Sequence, residues 1–323
     1  MEEQIKRNRK SIRKEAGRIG RGLIGYSIIF FAAVIVHLII LEACWANKYP
    51  GATEQDPGYL QMLENFENSG TSSIIGVCLG VLFLLFFFRK TITVSSIMQA
   101  EKKMNGAVFL QLLCVFMGGQ LLFSIVGELL EKGLNLLGYS AMACMESATS
   151  VSTTVSMFLY SAIIGPIVEE LVYRGFVLRS FQKYGKMAAI VVSSVLFGVM
   201  HANIPQSMFA FGVGLVLGYV AVEYSIVWSV VLHIINNCIF CDVFGWATSG
   251  LSEQVQTVLS TGVFGVFAVA AVVILWRKRK LVKMFCGENR TEKGIYVHIF
   301  SAVGMVLFIA GELGMAILML EKM

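Results

Sequence analysis

Apolar runs of about twenty residues recur along nearly the whole sequence, and each is long enough to cross a bilayer as a helix. Within the hydrocarbon core, backbone polar groups must be satisfied internally, so only helices and closed barrels span it. No stretch shows the strict alternation of a barrel strand, and the chain has only 4 prolines. The sequence therefore predicts an all-α, polytopic transmembrane helical bundle of about 8–9 spans, with little room for a soluble domain.

Charged residues lie mainly between the apolar runs, where they predict the topology. Nine spans are expected near 22–46, 72–88, 106–127, 155–178, 187–203, 206–223, 226–243, 257–276 and 295–318. Lysines and arginines crowd the tail before residue 22, whereas the loop after the first span is acidic. The positive-inside rule then places the N-terminus in the cytoplasm, and the later loops alternate consistently. The first apolar run is longer than a signal-peptide core, so we expect an uncleaved anchor in a multi-pass membrane protein.

The composition limits which kinds of binding partner are expected. The chain is 56% hydrophobic and 15% charged, with a mean hydropathy of +0.73. The net charge of +5 comes from residues at helix ends, so nucleic acid is not an expected partner. Cys238 and Cys241 form a CxxC pair without a second pair, which is a weak metal signal.

Ionisable and amide side chains inside the predicted spans are the candidates for a functional site, because such groups are expensive in the membrane and usually face a bundle interior or a water-filled cavity. The fourth, fifth and seventh spans contribute this set: Glu169, Glu170, Arg174, His201, His233, Asn236 and Asn237. His37, His298 and Glu312 lie in spans without a matching cluster, and structural roles are expected for them.

Helical spacing sorts this set into pairs. Glu170 and Arg174 are four residues apart in the order that favours an ion pair, while Glu169 projects about 100° away. One carboxylate can thus be neutralised while the other remains available. His233 and Asn237 also share a helix face.

Two kinds of chemistry fit these residues. A carboxylate and a histidine can move a proton from water to a leaving amine, and N–H groups of histidine and asparagine can stabilise the oxyanion of a tetrahedral intermediate. Together they suit hydrolysis of a peptide bond by activated water. Two histidines and one carboxylate could instead hold zinc with an open water position. Neither an HExxH nor a GxSxG motif is present.

Three motifs in order resemble those of a known family. EELVYR at 169–174 matches EExxxR, FGVMH at 197–201 matches FxxxH, and HIINN at 233–237 matches HxxxN. The sequence thus resembles the CPBP intramembrane proteases, also called the Abi or CAAX-protease family, over roughly 150–245. That resemblance divides the chain into a basic tail (1–21), N-terminal membrane helices (22–149), a catalytic core (150–245) and C-terminal membrane helices (246–323).

The resemblance also implies roles for the motif residues. Glu169 would activate the attacking water together with His201, and His233 and Asn237 would form an oxyanion hole. Glu170 and Arg174 would support the site. A glutamate-dependent, metal-free mechanism is favoured, with no assigned metal ligands, although a divalent metal such as zinc stays open. The substrate would be a membrane-associated peptide or protein, as in bacteriocin maturation or self-immunity.

Two other functions are compatible with the sequence. A non-catalytic membrane scaffold could use the same fold to sequester a peptide. A proton-coupled transporter could use Glu169, Glu170 and the histidines as a relay, although the paired repeats typical of transporters are not evident.

Overall fold

The computed structural model describes residues 2–323, with side chains described at 9–146 and 150–323. It consists almost entirely of helices. In chain order these are α1 (Glu2–Lys48), α2 (Pro57–Glu67), α3 (Thr71–Phe88), α4 (Val94–Ile97), α5 (Gly106–Leu136), α6 (Met142–Thr149), α7 (Val155–Tyr184), α8 (Lys186–Val199), α9 (Ile204–Glu223), α10 (Ile226–Thr248), α11 (Glu253–Glu288), α12 (Ile295–Phe300) and α13 (Val303–Leu318). A two-stranded antiparallel ribbon pairs β1 (Tyr139–Ser140) with β2 (Glu321–Lys322).

Within the described residues, seven helices are long and apolar enough to cross a membrane: α1, α3, α5, α7, α9, α10 and α11. The helices α8 and α13 are apolar but shorter. The prediction of an all-α polytopic bundle is therefore confirmed. The acidic loop after the first span contains α2, which begins at a proline.

The segments that connect the helices lie in two groups, one at each end of the bundle. At the first, the ribbon end, the β-ribbon joins the segment after α5 to the C-terminal residues, and Thr154 Oγ1 donates to the Asn68 carbonyl at 2.7 Å. At the other, the basic end, Tyr184 Oη donates to Glu15 at 2.7 Å, and Lys186 donates to Glu223 at 2.9 Å. These ends agree with the grouping of acidic and basic loops in the sequence.

Helix α8 lies at the centre of the bundle and is shorter than the sequence suggests. The fifth span was expected over 187–203, but the helix has 14 residues and ends at Val199. Its length of about 21 Å is less than the hydrocarbon thickness of a bilayer, about 30 Å. Ala202 follows with φ of 47°, which turns the chain sharply into α9. His201 therefore sits within the depth of the bundle rather than at a membrane surface.

Helix α8, which contains most of the FGVMH motif, packs closely against α9 because small residues line their contact. A Cβ on Gly198 would lie 2.6 Å from the Ser207 carbonyl oxygen, and one on Gly218 would lie 3.2 Å from Ile190 Cγ2. Helix α8 thus packs against α9 with little separation, as small residues allow in membrane bundles.

Helix α7 departs from α-helical geometry on both sides of the two glutamates. Residues Leu159–Ile164 and Leu171–Leu178 form π-helical turns around the α-helical segment Gly165–Glu170. Pro166 lacks the N–H that would bond to the preceding turn, and its ring crowds that turn, so a widened stretch before it is expected. π-turns occur frequently at functional sites, where they redirect side chains.

Candidate active site

Glu170 and Arg174 form a fully buried ion pair at the centre of the bundle. Arg174 Nη1 lies 3.0 Å from Glu170 Oε1, and both side chains have an exposed fraction of 0%. The Arg174 guanidinium also lies 4.2 Å from the Phe197 ring centroid and donates from Nη2 to the Gly214 carbonyl at 3.3 Å. Removing either partner of such a pair would leave an uncompensated buried charge. The structure thus contains the ion pair that the spacing of the two residues predicts.

Two further groups from α10 complete the environment of Glu170. His233 Nδ1 lies 3.1 Å from Glu170 Oε1, and the Ser229 hydroxyl donates to Glu170 Oε2, while its oxygen also lies 3.2 Å from the Leu217 carbonyl oxygen. Because a carboxylate only accepts hydrogen bonds, Nδ1 of His233 carries the proton in this contact. Glu170 therefore fixes the orientation of the His233 ring. Ser229 was not anticipated, since it lies outside the three motifs, one helical turn before His233.

Glu169 differs from its neighbour in surroundings. Its side chain is 22% exposed, and Oε2 lies 3.7 Å from His233 Nε2. That separation is longer than a hydrogen bond and leaves room for a water molecule to bridge the two groups. Among the described residues, no lysine or arginine pairs with Glu169. Glu169 is therefore the more exposed of the two carboxylates, whereas Glu170 is fully buried.

His201 approaches the site from the end of α8. Its Nδ1 lies 2.8 Å from the Phe197 carbonyl oxygen, so Nδ1 donates and Nε2 keeps a lone pair. The Phe197 ring contacts both histidines edge-on, with centroid distances of 5.1 Å to His201 and 5.8 Å to His233. In the part of the chain described here, no hydrogen bond or ion pair joins His201 to Glu169.

Asn237 lies one turn after His233, in the π-helical stretch Ile235–Val243. Its Nδ2 donates to the Ser161 carbonyl at 2.8 Å, and its Oδ1 accepts from Asn236 Nδ2 at 2.8 Å. One of its two amide hydrogens is thus committed to the protein, and the other is available. The sequence did not indicate which helix Asn237 would bond to, because its partner is a backbone carbonyl.

The arrangement of the same side chains also bears on whether the site could hold zinc, the second kind of chemistry expected from the sequence. Glu169, His201 and His233 are residue types that bind zinc. Across the described residues, however, no three or more His, Cys, Asp or Glu side chains are grouped so that they could hold a metal ion, and the CxxC pair is included in that statement. The conformation described therefore does not preform a zinc site.

The remaining polar residues of the spans have local partners. His37 Nδ1 lies 2.6 Å from Ser72 Oγ, and Ser27 Oγ donates to Glu312 at 3.0 Å. These contacts join α1 to α3 and α13, in line with the structural roles expected for His37 and Glu312. Nδ1 of His298 is buried without a hydrogen-bond partner among the described atoms.

An all-helical membrane bundle that holds a glutamate–histidine cluster, with an asparagine one turn further along the helix of the histidine, has the makeup of an intramembrane hydrolase. Residues 151–239 match the family described as type II CAAX prenyl endopeptidase Rce1-like. The resemblance to the CPBP family is therefore confirmed over this segment, which contains all three motifs. At the level of the family, the match supports an intramembrane protease of the CAAX type.

One curated relative agrees with this assignment. The chain is 22% identical over 221 residues to the "Putative membrane peptidase YdiL" of Bacillus subtilis (strain 168), covering 67% of this chain and 84% of that protein. No solved structure matches the chain.

Proposed function

We propose that this protein is an endopeptidase that hydrolyses a peptide bond of a membrane-associated peptide or protein through water activated by Glu169 and His201. The observation that carries the proposal is the contrast between two adjacent glutamates. Glu170 is fully buried and neutralised by Arg174, whereas Glu169 is partly exposed, unpaired with a cation among the described residues and 3.7 Å from His233. Such a carboxylate inside a membrane bundle is a functional group by default.

In this mechanism Glu169 accepts a proton from the attacking water, and His201 assists through Nε2, which is left without a proton by the hydrogen bond of Nδ1 to Phe197. The water oxygen adds to the scissile carbonyl carbon and forms a tetrahedral intermediate. The proton then passes to the leaving amine as the C–N bond breaks. Products are a carboxylate and an amine, so no other reactant is required.

Asn237 and His233 stabilise the oxyanion of that intermediate. Asn237 has one amide hydrogen free of the Ser161 carbonyl. His233 can donate from Nε2 only in its doubly protonated form, because Nδ1–H is directed to Glu170. Glu170 and Arg174 thus support catalysis by holding the His233 ring in place.

The substrate reaches this site from within or beside the bilayer. We propose a small peptide precursor or a membrane-anchored protein as the substrate, in the plasma membrane, with the N-terminus cytoplasmic. Bacteriocin maturation or self-immunity is the biological role proposed from the family resemblance. The basic residues of the N-terminal tail support the orientation.

The decisive experiment compares peptides and new protein termini in host cells that carry wild type or Glu169→Gln at matched membrane abundance. Termini that form only with wild type are expected, and they identify the substrate. Identical termini in both strains, with the mutant still supporting the host phenotype, would overturn the proposal in favour of a non-catalytic scaffold. Substrate uptake into proteoliposomes without cleavage would favour a transporter.

The role of metal is tested separately. Purified protein treated with a chelator is expected to retain cleavage of the substrate, because Glu169 supplies the base without a metal. Loss of cleavage with recovery on adding zinc would replace the metal-free mechanism by a zinc-dependent one that uses Glu169, His201 and His233.

A further inference from the structure

Three side-chain amides form a continuous hydrogen-bonded chain from α5 to α7. Gln120 Nε2 donates to Asn236 Oδ1 at 2.6 Å, Asn236 Nδ2 donates to Asn237 Oδ1 at 2.8 Å, and Asn237 Nδ2 donates to the Ser161 carbonyl at 2.8 Å. Gln120 lies outside the segment that matches the family, 151–239. Asn236 has an exposed fraction of 5%, so its amide depends on protein partners.

The donor and acceptor roles in this series of hydrogen bonds are fixed at the end formed by the Ser161 carbonyl. The Ser161 carbonyl can only accept, so Asn237 must turn its nitrogen toward it and its oxygen toward Asn236. Asn236 must then present its nitrogen to Asn237 and its oxygen to Gln120. Gln120 must therefore donate. Reversing any one amide would place two acceptors or two donors against each other and leave buried polar groups unpaired, which is unfavourable.

The Ser161 carbonyl is itself held in position by a second set of contacts. The buried Asp242 side chain accepts from the Ser152 backbone N–H at 2.8 Å and from Ser161 Oγ at 3.3 Å. Ser152 Oγ and Ser161 Oγ also lie 2.9 Å apart. This anchors the end of the amide chain to the turn that begins α7.

We propose that Gln120 and Asn236 are positioning residues that orient the amide of Asn237 so that its free N–H faces the oxyanion of the tetrahedral intermediate. This inference rests on the proposed function, because it concerns the oxyanion donor of that reaction. Neither residue touches the substrate. Their effect is to remove the rotational freedom of the Asn237 amide, and preorganised donors are what makes such sites effective.

Substitutions of Gln120 test the direction of the chain. Gln120→Glu keeps the size of the side chain but sets a carboxylate against the Asn236 oxygen. Gln120→Leu removes all hydrogen bonding. Both are expected to lower the rate at which wild-type-dependent termini form in isolated membranes by about 10- to 100-fold, as expected for a misplaced catalytic group. Ser124→Ala is the matched control on the same helix, since Ser124 Oγ bonds to the Gln120 backbone carbonyl and not to its side-chain amide, and the rate is expected to be unchanged.

Two readouts separate positioning from general loss of structure. The rate of Gln120→Glu relative to wild type should rise as the pH falls, because a protonated carboxyl can donate to Asn236 as Gln120 does. The relative rate of Gln120→Leu should stay low at every pH. In addition, Gln120→Glu should cause no further loss in an Asn237→Ala background, because residues that act as one unit are not additive.

The outcomes for the two proposals are distinct. If Glu169→Gln abolishes the new termini while Gln120→Glu and Gln120→Leu cleave like wild type, the positioning role is overturned and the protease function stands. The positioning role is likewise overturned if the losses at Gln120 and Asn237 are additive. If wild type and Glu169→Gln produce the same termini, the protease function fails and the positioning role fails with it.

Discussion

At the scale of single residues, neighbouring positions in one motif have opposite environments. Glu170 is surrounded by Arg174, His233 and the Ser229 hydroxyl. Glu169 lies 3.7 Å from the other ring nitrogen of that histidine, Nε2. A buried charge is stable when its partners compensate the loss of water. We therefore expect Glu170 to contribute mainly to stability and Glu169 mainly to activity.

Conservative substitutions of the two glutamates test this division. Glu170→Gln removes the charge that compensates the buried Arg174, which should lower the free energy of unfolding by roughly 3–5 kcal/mol. Glu169→Gln alters a partly exposed group and should change stability by less than about 0.5 kcal/mol. Thermal unfolding of both purified variants in the same detergent measures the difference. Equal losses of stability would contradict the division.

Contacts within one helix were predictable, and contacts between helices were not. The spacing of Glu170 and Arg174 predicted their ion pair. Gln120 gave no such signal, because its partner Asn236 is far away in the sequence and the match exists only once α5 packs against α10.

At the scale of elements, the turn from α8 to α9 depends on an unusual backbone conformation. Ala202 has φ of 47°, in the left-handed region that costs a non-glycine residue about 1–2 kcal/mol. This turn follows His201 directly and ends before Asn203, whose side chain accepts from the Gln206 N–H to begin α9. The conformation at Ala202 therefore sets where the histidine ring lies.

Substitutions at Ala202 measure that strain. Ala202→Val is expected to destabilise the protein by more than about 1 kcal/mol, because a β-branched side chain is poorly tolerated at positive φ. Ala202→Gly should cause no loss, since glycine adopts this conformation freely. Thermal unfolding of the two variants beside wild type provides the comparison. A less stable Ala202→Gly would mean that this turn is not strained.

The sequence could not predict which stretches of α7 and α10 would be π-helical. Pro166 indicated a disturbance of α7, but apolar periodicity alone does not distinguish a π-turn from an α-turn over so few residues. The widened stretch Ile235–Val243 has no proline to mark it. It places Asn236 and Asp242 toward partners in α5 and α7, and those tertiary contacts decide the local geometry.

At the scale of the whole molecule, α1 and α13 hold the N-terminal and C-terminal parts of the chain together. They cross where glycines meet: a Cβ on Gly304 would lie 2.4 Å from the Gly17 carbonyl oxygen, and one on Gly20 would lie 2.2 Å from the Gly304 backbone. Among the described residues, nothing lies within 4 Å of a Cβ placed on Gly311, farther along α13.

These two glycines of α13 offer a matched test. Gly304→Ala should destabilise the protein, because backbone atoms at 2.4 Å must move apart to admit a methyl group. Gly311→Ala should be neutral or stabilising by up to about 1 kcal/mol, since alanine is the better helix former. Thermal unfolding distinguishes the variants. Equal effects at both positions would show that the crossing of α1 and α13 is not tight.

A charge cluster closes the basic end of the bundle. Glu223 is nearly buried and accepts from Lys102 and Lys186, while its backbone carbonyl accepts from the Glu101 and Lys102 N–H groups. The hydrogen bond to Glu223 raises the pKa of the Lys102 amine above its ordinary value.

A group whose pKa is raised by folding stabilises the folded state below its unfolded pKa, and this contribution is lost as the pH rises through the folded pKa. Wild type should therefore lose stability as the pH rises past the ordinary lysine pKa, about 10.4. Lys102→Met should lose less over the same interval. Unfolding temperatures between neutral and alkaline pH measure both, and parallel curves would contradict a role for Lys102.

Because α8 is short, packed helix extends into the bundle from its basic end but stops before the ribbon end. On the basic side, the interior of the bundle is occupied by the 14 residues of α8 and by the charge cluster around Glu223. From the ribbon end, the same depth beyond Val199 is occupied by a polar turn that carries His201 and Asn203. Non-helical backbone at such depth requires protein or water around it. Hydrolysis consumes one water molecule per bond, so in the proposed mechanism we expect the water to reach Glu169 past this polar turn.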